Sequence, residues 1–352
     1  MPSKSLMLLA MAATAQAPPP LRLVREFTLD AGSGVTFGII GGMDIGPDGS
    51  IALVDNGNGV IYRFFKTGKL RDSLGHRGQG PGEFLSSAGL SIGPAGEVAL
   101  VDIRTRRITV WNPDGGLRGS APVTGGMPIE LIWRGQAPIV GVMTFSPGVG
   151  ASASFGPVTM GDQATMGAAI ATFPDPRREE FATAVSCGMC RRAISPDGKL
   201  LGAAPDTIYR ISEIGPDGRA VRSWKRTDAG AGLRTPEEVS ALEKRLASGP
   251  GGGRPNPEGR PGPVIPRGDI RYRPRVQGFG FDASGRLLAL VSNAGSTRPV
   301  VDVFSGDGKF LGTVRPAEHL TAFAVRGARV IGLSESADGE HVVHVYRIEE
   351  VP

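Results

Sequence analysis

Hydrophobic and polar positions along this 352-residue chain fall into one recurring phrase. An apolar or alternating run ends in a Gly-bearing turn, and a second apolar run follows it. The phrase reads IGPDGSIALVD at 45–55, IGPAGEVALVD at 92–102, ISPDGKLLGAA at 194–204 and FDASGRLLALV at 281–291. VRGARVIGL at 325–333 is a weaker copy, and IWRGQAPIVGV at 132–142 is the most degenerate. The turns centre on Asp48, Ala95, Gly135, Asp197, Ser284 and Gly327. Asp-Gly in such turns supplies the positive φ that a tight hairpin requires.

Each unit reads as four strands, shown in the second by SSAGLSIG, EVALVD, RRITVWN and LRGSAPV. Four short strands in a unit of roughly 40–50 residues make a propeller blade. The last unit has strands at 320–326, 329–335 and 341–348, and then the chain runs out. LRLVREFTL at 21–29 alternates and leads into the first unit, so it is expected to supply the missing outer strand. That pairing would hide an edge that otherwise invites aggregation. The expected fold is all-β: a six-bladed β-propeller over residues 18–352, closed by its N-terminal strand.

An insertion at about 228–275 separates blades four and five. TPEEVSALEKRLASG opens with Thr235 as N-cap and Glu238 three residues on, then places Val239, Leu242 and Leu246 at helical spacing, which predicts a helix over 235–247. From 248 to 268, 13 of 21 residues are Gly or Pro, so this stretch is expected to be a loop with no core of its own. Residues 244–275 carry eight Lys or Arg against two Asp or Glu, more excess charge than the whole chain's +5. The basic balance therefore belongs to one segment.

Residues 1–17 have the form of an export signal. Lys4 precedes the apolar run Leu6–Ala13, and small residues allow cleavage after Ala15 or Ala17. Pro18 would hinder cleavage after Ala17, which favours Ala15. The apolar run is too short to span a bilayer, and no other stretch approaches the required length. The mature chain is expected to be periplasmic or secreted, monomeric and without a transmembrane segment. With 21 Phe, Trp and Tyr in all, it lacks the aromatics of a base-stacking surface, so no nucleic-acid partner is expected.

Between the first two units the sequence reads LGHRGQGPGEF (74–84), followed by a strand pair ending VALVDIRTRRITVWNPDG. This resembles the NHL repeat, whose pattern is a G-x-x-G-x-G-P-G-E-F linker and then V-x-D-x-x-x-x-R-I-x-V-[FW]-x-x-x-G. Blade one keeps it in LVDNGNGVIYRF; blades four and five match loosely, and three and six faintly. The resemblance implies an NHL-type six-bladed propeller, similar to exported bacterial proteins of unassigned role.

In a propeller the linkers between blades and the turns between second and third strands share one face. Candidate ligand-facing residues there are Asp55, Asn56, Asp102, Arg104, Asp206, Asn293, His76 and His319. Arg191, Arg192 and Arg275 enter blades four and five near the channel mouth, where guanidinium groups could clamp a carboxylate, phosphate or sugar acid. The carboxylates of Asp55 and Asp102 equally suit caps on the following turn. Cys187 and Cys190 form a CxxC. Zinc would need two more ligands, c-type haem a His where Arg191 stands, and a thioredoxin-like pair a following helix. In an exported chain the pair reads as a local disulfide. His341 and His344 are three apart in a predicted strand and face opposite sides, so they do not share a metal.

No nucleophile elbow, P-loop or HExxH motif is present. The function expected is a binding or scaffold module acting through the linker face, with a protein, a peptide or an anionic envelope polymer as partner. The alternative is a metal-dependent lyase or lactonase-like hydrolase with one divalent cation, calcium or zinc, at the channel mouth. Resemblance to gluconolactonase-type propellers implies Asp55, Asp102, Asp206 and Asn293 as its donors. An NHL-like amidating lyase would want a zinc on three histidines such as His76, His319 and His341, but their local sequences match no such motif.

Overall fold

The computed structural model describes residues 21–146, 150–173, 192–195, 198–203, 209–216, 219–226, 235–248, 276–291 and 298–351. They form a six-bladed β-propeller. Blade one contains Ile40–Ile45, Ile51–Asp55, Val60–Phe64 and Leu70–Leu74, and blade two Ser87–Ile92, Val98–Asp102, Arg107–Trp111 and Leu117–Pro122. Blade three contains Met127–Arg134, Ala137–Ser146 and Gly150–Thr159, with an outer strand in two pieces, Thr165–Met166 and Ala171–Phe173. Blade four contains Arg192–Ile194, Leu200–Ala203, Arg210–Ile214 and Ala220–Lys225, and blade five Val276–Phe281, Leu287–Val291, Val300–Phe304 and Phe310–Val314. Blade six joins Ala322–Arg326, Arg329–Glu335 and His341–Glu350 to Leu21–Leu29.

The N-terminal strand closes the ring as expected. Leu21 pairs with Glu350 and Leu29 with Val343 in an antiparallel ladder, with a bulge between Arg25 and Phe27. In every blade the turn between first and second strands holds a glycine at positive φ: Gly49, Gly96, Gly135, Gly198, Gly285 and Gly327. That conformation carries no steric penalty only for glycine.

Apolar side chains form six clusters, one between each pair of successive blades. The second strands Ile51–Asp55, Val98–Asp102 and Leu287–Val291 are buried at every position because a neighbouring blade covers each face. Hence IALVD, VALVD and LLALV are continuous apolar runs rather than alternating ones. First strands of successive blades stand side by side around the central channel. Gly89 makes one approach possible, since a Cβ there would lie 2.6 Å from the Leu131 nitrogen.

In the insertion, Pro236–Ser248 is helical, and the Val239 N–H donates to the Thr235 carbonyl at 3.0 Å. Residues 249–275, which include most of the Gly/Pro-rich stretch expected to be a loop, lie outside the described residues, as do residues 1–17, expected to be an export signal. Among the described residues no helix is long and apolar enough to cross a membrane.

Candidate functional site: the linker face

Blades one and two build this face from two versions of one turn, VDNGNGV and VDIRTRR. Each second strand ends in a buried aspartate, 0% exposed for Asp55 and 1% for Asp102. Asp55 Oδ1 accepts the N–H groups of Ile39 and Asn58, both at 3.0 Å. Its Oδ2 accepts Gly38 N–H at 2.7 Å and Asn58 Nδ2 at 2.8 Å. Asp102 takes Leu85 N–H at 2.6 Å on Oδ2, and Ser86 at 3.3 Å and Arg104 at 2.8 Å on Oδ1. Both carboxylates thus stitch the incoming linker to the turn, and charge-assisted bonds of this kind are about twice as strong as neutral ones.

The remaining polar groups of the first linker are similarly employed. Asn56 Oδ1 accepts Ser87 N–H at 3.0 Å, and Arg77 Nη2 donates to the carbonyls of Asn56 and Gly57, each at 2.9 Å. His76 Nε2 lies 2.7 Å from Glu83 Oε1 on the surface. The Gly80 N–H, foremost, and His76 hold the Glu83 carboxyl below the usual carboxylate range. Ile40 N–H donates to His341 Nδ1 at 2.9 Å, so this histidine belongs to the blade-six to blade-one seam. His319 lies on the linker into blade six, and Arg192 opens the first strand of blade four. Arg191, Asp206, Arg275, Asn293, Cys187 and Cys190 lie outside the described residues.

Ile39, Arg104 and Arg106 are among the groups on this face that remain outward. Ile39 is 61% exposed at the start of blade one. Arg104 and Arg106 are exposed on the blade-two turn, and their guanidinium groups make no hydrogen bond or ion pair among the described residues. Arg106 adopts φ 52°, the one positive value at a non-glycine position among the described residues. Its counterpart in blade one is Gly59, at φ 71°. A side chain in that region costs on the order of 1–2 kcal/mol.

The opposite end of the channel is bridged. Arg326 Nη1 donates to Ile45 O at 2.8 Å and Ile92 O at 3.1 Å, joining the first strands of blades six, one and two. Beside it Asp44 Oδ2 accepts Ile92 N–H at 2.7 Å and the Ser91 hydroxyl at 3.1 Å, and Ser91 Oγ accepts Trp133 N–H at 3.0 Å. Burial pushes the Asp44 carboxyl above its ordinary range, against the opposing pull of Arg326 and these donors.

Two features had no counterpart in the sequence reading. Blade three's second and third strands are ten residues each, against five in blade two, so their hairpin stands above the face. In blade six, buried Ser334 Oγ and His344 Nε2 meet at 2.7 Å. Neither belongs to a local motif; both follow from strand pairing. Among the described residues no group of three or more His, Cys, Asp or Glu side chains is arranged to hold a metal ion.

Comparison with known proteins matches the fold. No protein-family model and no curated protein matches the sequence. A candidate exported protein from Bacteroides fragilis is similar in structure, with TM-score 0.52 and 9% identity over 96% of this chain and 97% of that one. The WD40 repeats of RRP9 give TM-score 0.50 and 12% identity over 94% and 99%. A catalytically inactive variant of virginiamycin B lyase from Staphylococcus aureus, with quinupristin, gives 0.45 and 14% over 86% and 79%. For the first two, at these identities, the shared property is the propeller fold.

Proposed function

We propose that the protein is an exported propeller of the NHL type that acts as a binding module through its linker face. One observation carries the reading. The carboxylates best placed to serve a metal, Asp55 and Asp102, are buried and spent on backbone N–H groups, while Ile39, Arg104 and Arg106 stay exposed beside them. Such a surface suits recognition by contact and charge rather than chemistry at a metal centre. Export is supported by the signal-like residues 1–17, and the NHL type by the HRGQGPGEF linker.

The test places a photo-crosslinking residue at Ile39, Arg104 or, on the opposite face, Lys66, and exposes the protein to envelope material of its host. Adducts from Ile39 and Arg104 but not Lys66 are expected. Equal adducts from all three, or none, would overturn the reading. Elemental analysis of chelator-free protein addresses the alternative: stoichiometric calcium or zinc would replace the binding module with a metal-dependent lyase or hydrolase.

A further inference from the structure

Between blades two and three the linker face sets side by side two surfaces that differ in chemistry. On the blade-three side, the first strand stops pairing at Met127 with Met143, but the second and third strands continue together. Thr144 pairs with Ser152, and Ser146 with Gly150, beyond the inner strand. Thr144 follows Val140 and Val142 on the side that packs against blade two, and Ser152 and Ser154 share that side with Val158.

These hydroxyls form two rungs. Thr144 Oγ1 and Ser152 Oγ are 2.8 Å apart, and Ser154 Oγ and Thr172 Oγ1 are 3.1 Å apart; all four residues are half-buried. Each rung uses one hydroxyl proton and leaves a second proton and several lone pairs for a ligand. Along the third strand the rungs are two residues apart, about 7 Å.

The blade-two surface is cationic. Val123 N–H donates to the Arg106 carbonyl at 2.7 Å, and a Cβ on Gly126 would lie 2.4 Å from Met143 O. Three residue steps, at most about 10 Å, therefore separate the Arg106 turn from the foot of the hairpin. Residues 123–126, 137–146 and 150–161 contain no charged side chain, so none of them neutralises Arg104 and Arg106. Arg106 also occupies a backbone position that blade one gives to Gly59. A costly arginine there, unpaired and exposed, is what a recognition residue looks like and what a structural one does not.

We propose that this surface between blades two and three binds an acidic polysaccharide, a chain of uronic-acid units, with carboxylates on Arg104 and Arg106 and ring hydroxyls on the Thr144–Ser152 and Ser154–Thr172 rungs. Planar carboxylates fit a guanidinium fork. Repeated sugar hydroxyls, donors and acceptors at once, match rungs with both capacities left. A polyanionic peptide would use the arginines and leave the rungs idle. The proposal rests on the linker face being the binding surface and adds the occupant.

The experiment titrates the mature protein with an oligogalacturonate, its methyl ester and a poly-glutamate of similar length. Oligogalacturonate binding that weakens with salt is expected, with at least roughly tenfold weaker binding of the methyl ester. Arg106→Gly relieves the backbone, so it should keep or raise the melting temperature while weakening binding on the order of tenfold. Thr144→Val with Ser154→Ala should weaken oligogalacturonate further and leave poly-glutamate unchanged. Absent binding, equal binding of poly-glutamate, or full binding by Arg106→Gly would each overturn the proposal. If crosslinks from Ile39 and Arg104 persist in that case, the linker face remains a binding surface with another occupant.

Discussion

Asp102 Oδ2 accepts the backbone N–H of Leu85 at 2.6 Å, tying the turn of blade two to the linker that enters it. The donor lies seventeen residues earlier in the chain, so the bond closes a long loop through a buried charge. Asp102→Ala leaves the N–H groups of Leu85, Ser86 and Arg104 without their acceptor. It is expected to cost about 2–4 kcal/mol in urea unfolding, with Asp102→Asn intermediate because its amide presents donors to donors. A metal ligand would behave otherwise, its loss of stability depending on added metal ion and vanishing in chelator.

Arg329 pins the ring closure. Its Nη1 donates to Gly49 O at 2.8 Å and Lys66 O at 2.9 Å, and its Nη2 to Glu26 at 2.7 Å on the N-terminal strand. Blades six and one and the closing strand thus meet on one side chain. Arg329→Met should destabilise the fold by about 2 kcal/mol, since two carbonyls and a carboxylate lose a charged donor. Glu26→Gln alone should cost less, and the double variant less than the sum, because the two share a contact. Thermal unfolding of the four proteins measures this.

Gly89→Ala places a methyl group 2.6 Å from the Leu131 nitrogen, where two inner strands cannot part without disturbing the ring. A loss of about 2–3 kcal/mol is expected. Gly202→Ala is the contrast. The nearest atom to a Cβ there is a side-chain carbon of Ile214 at 4.0 Å, so that variant should stay within about 0.5 kcal/mol of the parent. Equal effects would mean that the strand glycines act through backbone freedom rather than close approach.

Blade number and closure were legible because each depends on local chemistry. A Gly-bearing turn announces every first hairpin, and the missing outer strand of blade six left 21–29 as its partner. The capping role of Asp55 was legible for the same reason, as its turn follows it directly. Its second role, binding Gly38 and Ile39 of the linker that enters the blade, is tertiary and leaves no local mark. The spacing of inner strands at Gly89 and the long hairpin of blade three were hidden for that reason too. MTFSPGVGASASF alternates apolar and hydroxyl residues, and nothing in the alternation tells how far the pairing continues past the inner strand.

His344 should make blade six sensitive to acid. Its Nε2 faces Ser334 Oγ, whereas its buried Nδ1 has no hydrogen-bond partner among the described residues. The favoured neutral form therefore carries its proton on Nε2, donated to the serine, and leaves Nδ1 as a bare acceptor. Protonation would add a buried N–H with nothing to receive it. Burial accordingly holds the imidazolium pKa below its ordinary value of 6.5, with Glu318 and Asp30 opposing and Arg25 assisting. Tyr346, whose hydroxyl donates to Glu318, is itself held neutral, chiefly by burial. Because the unfolded chain binds the proton more readily, the contribution is intact above about pH 6.5 and is lost as pH falls toward the lowered folded value. Each unit of displacement is worth about 1.4 kcal/mol. Urea unfolding at about pH 7.5 and about pH 5.5 should show a smaller loss for His344→Gln than for the parent, with the other histidines contributing equally to both. Identical losses would place the acid sensitivity elsewhere in the ring.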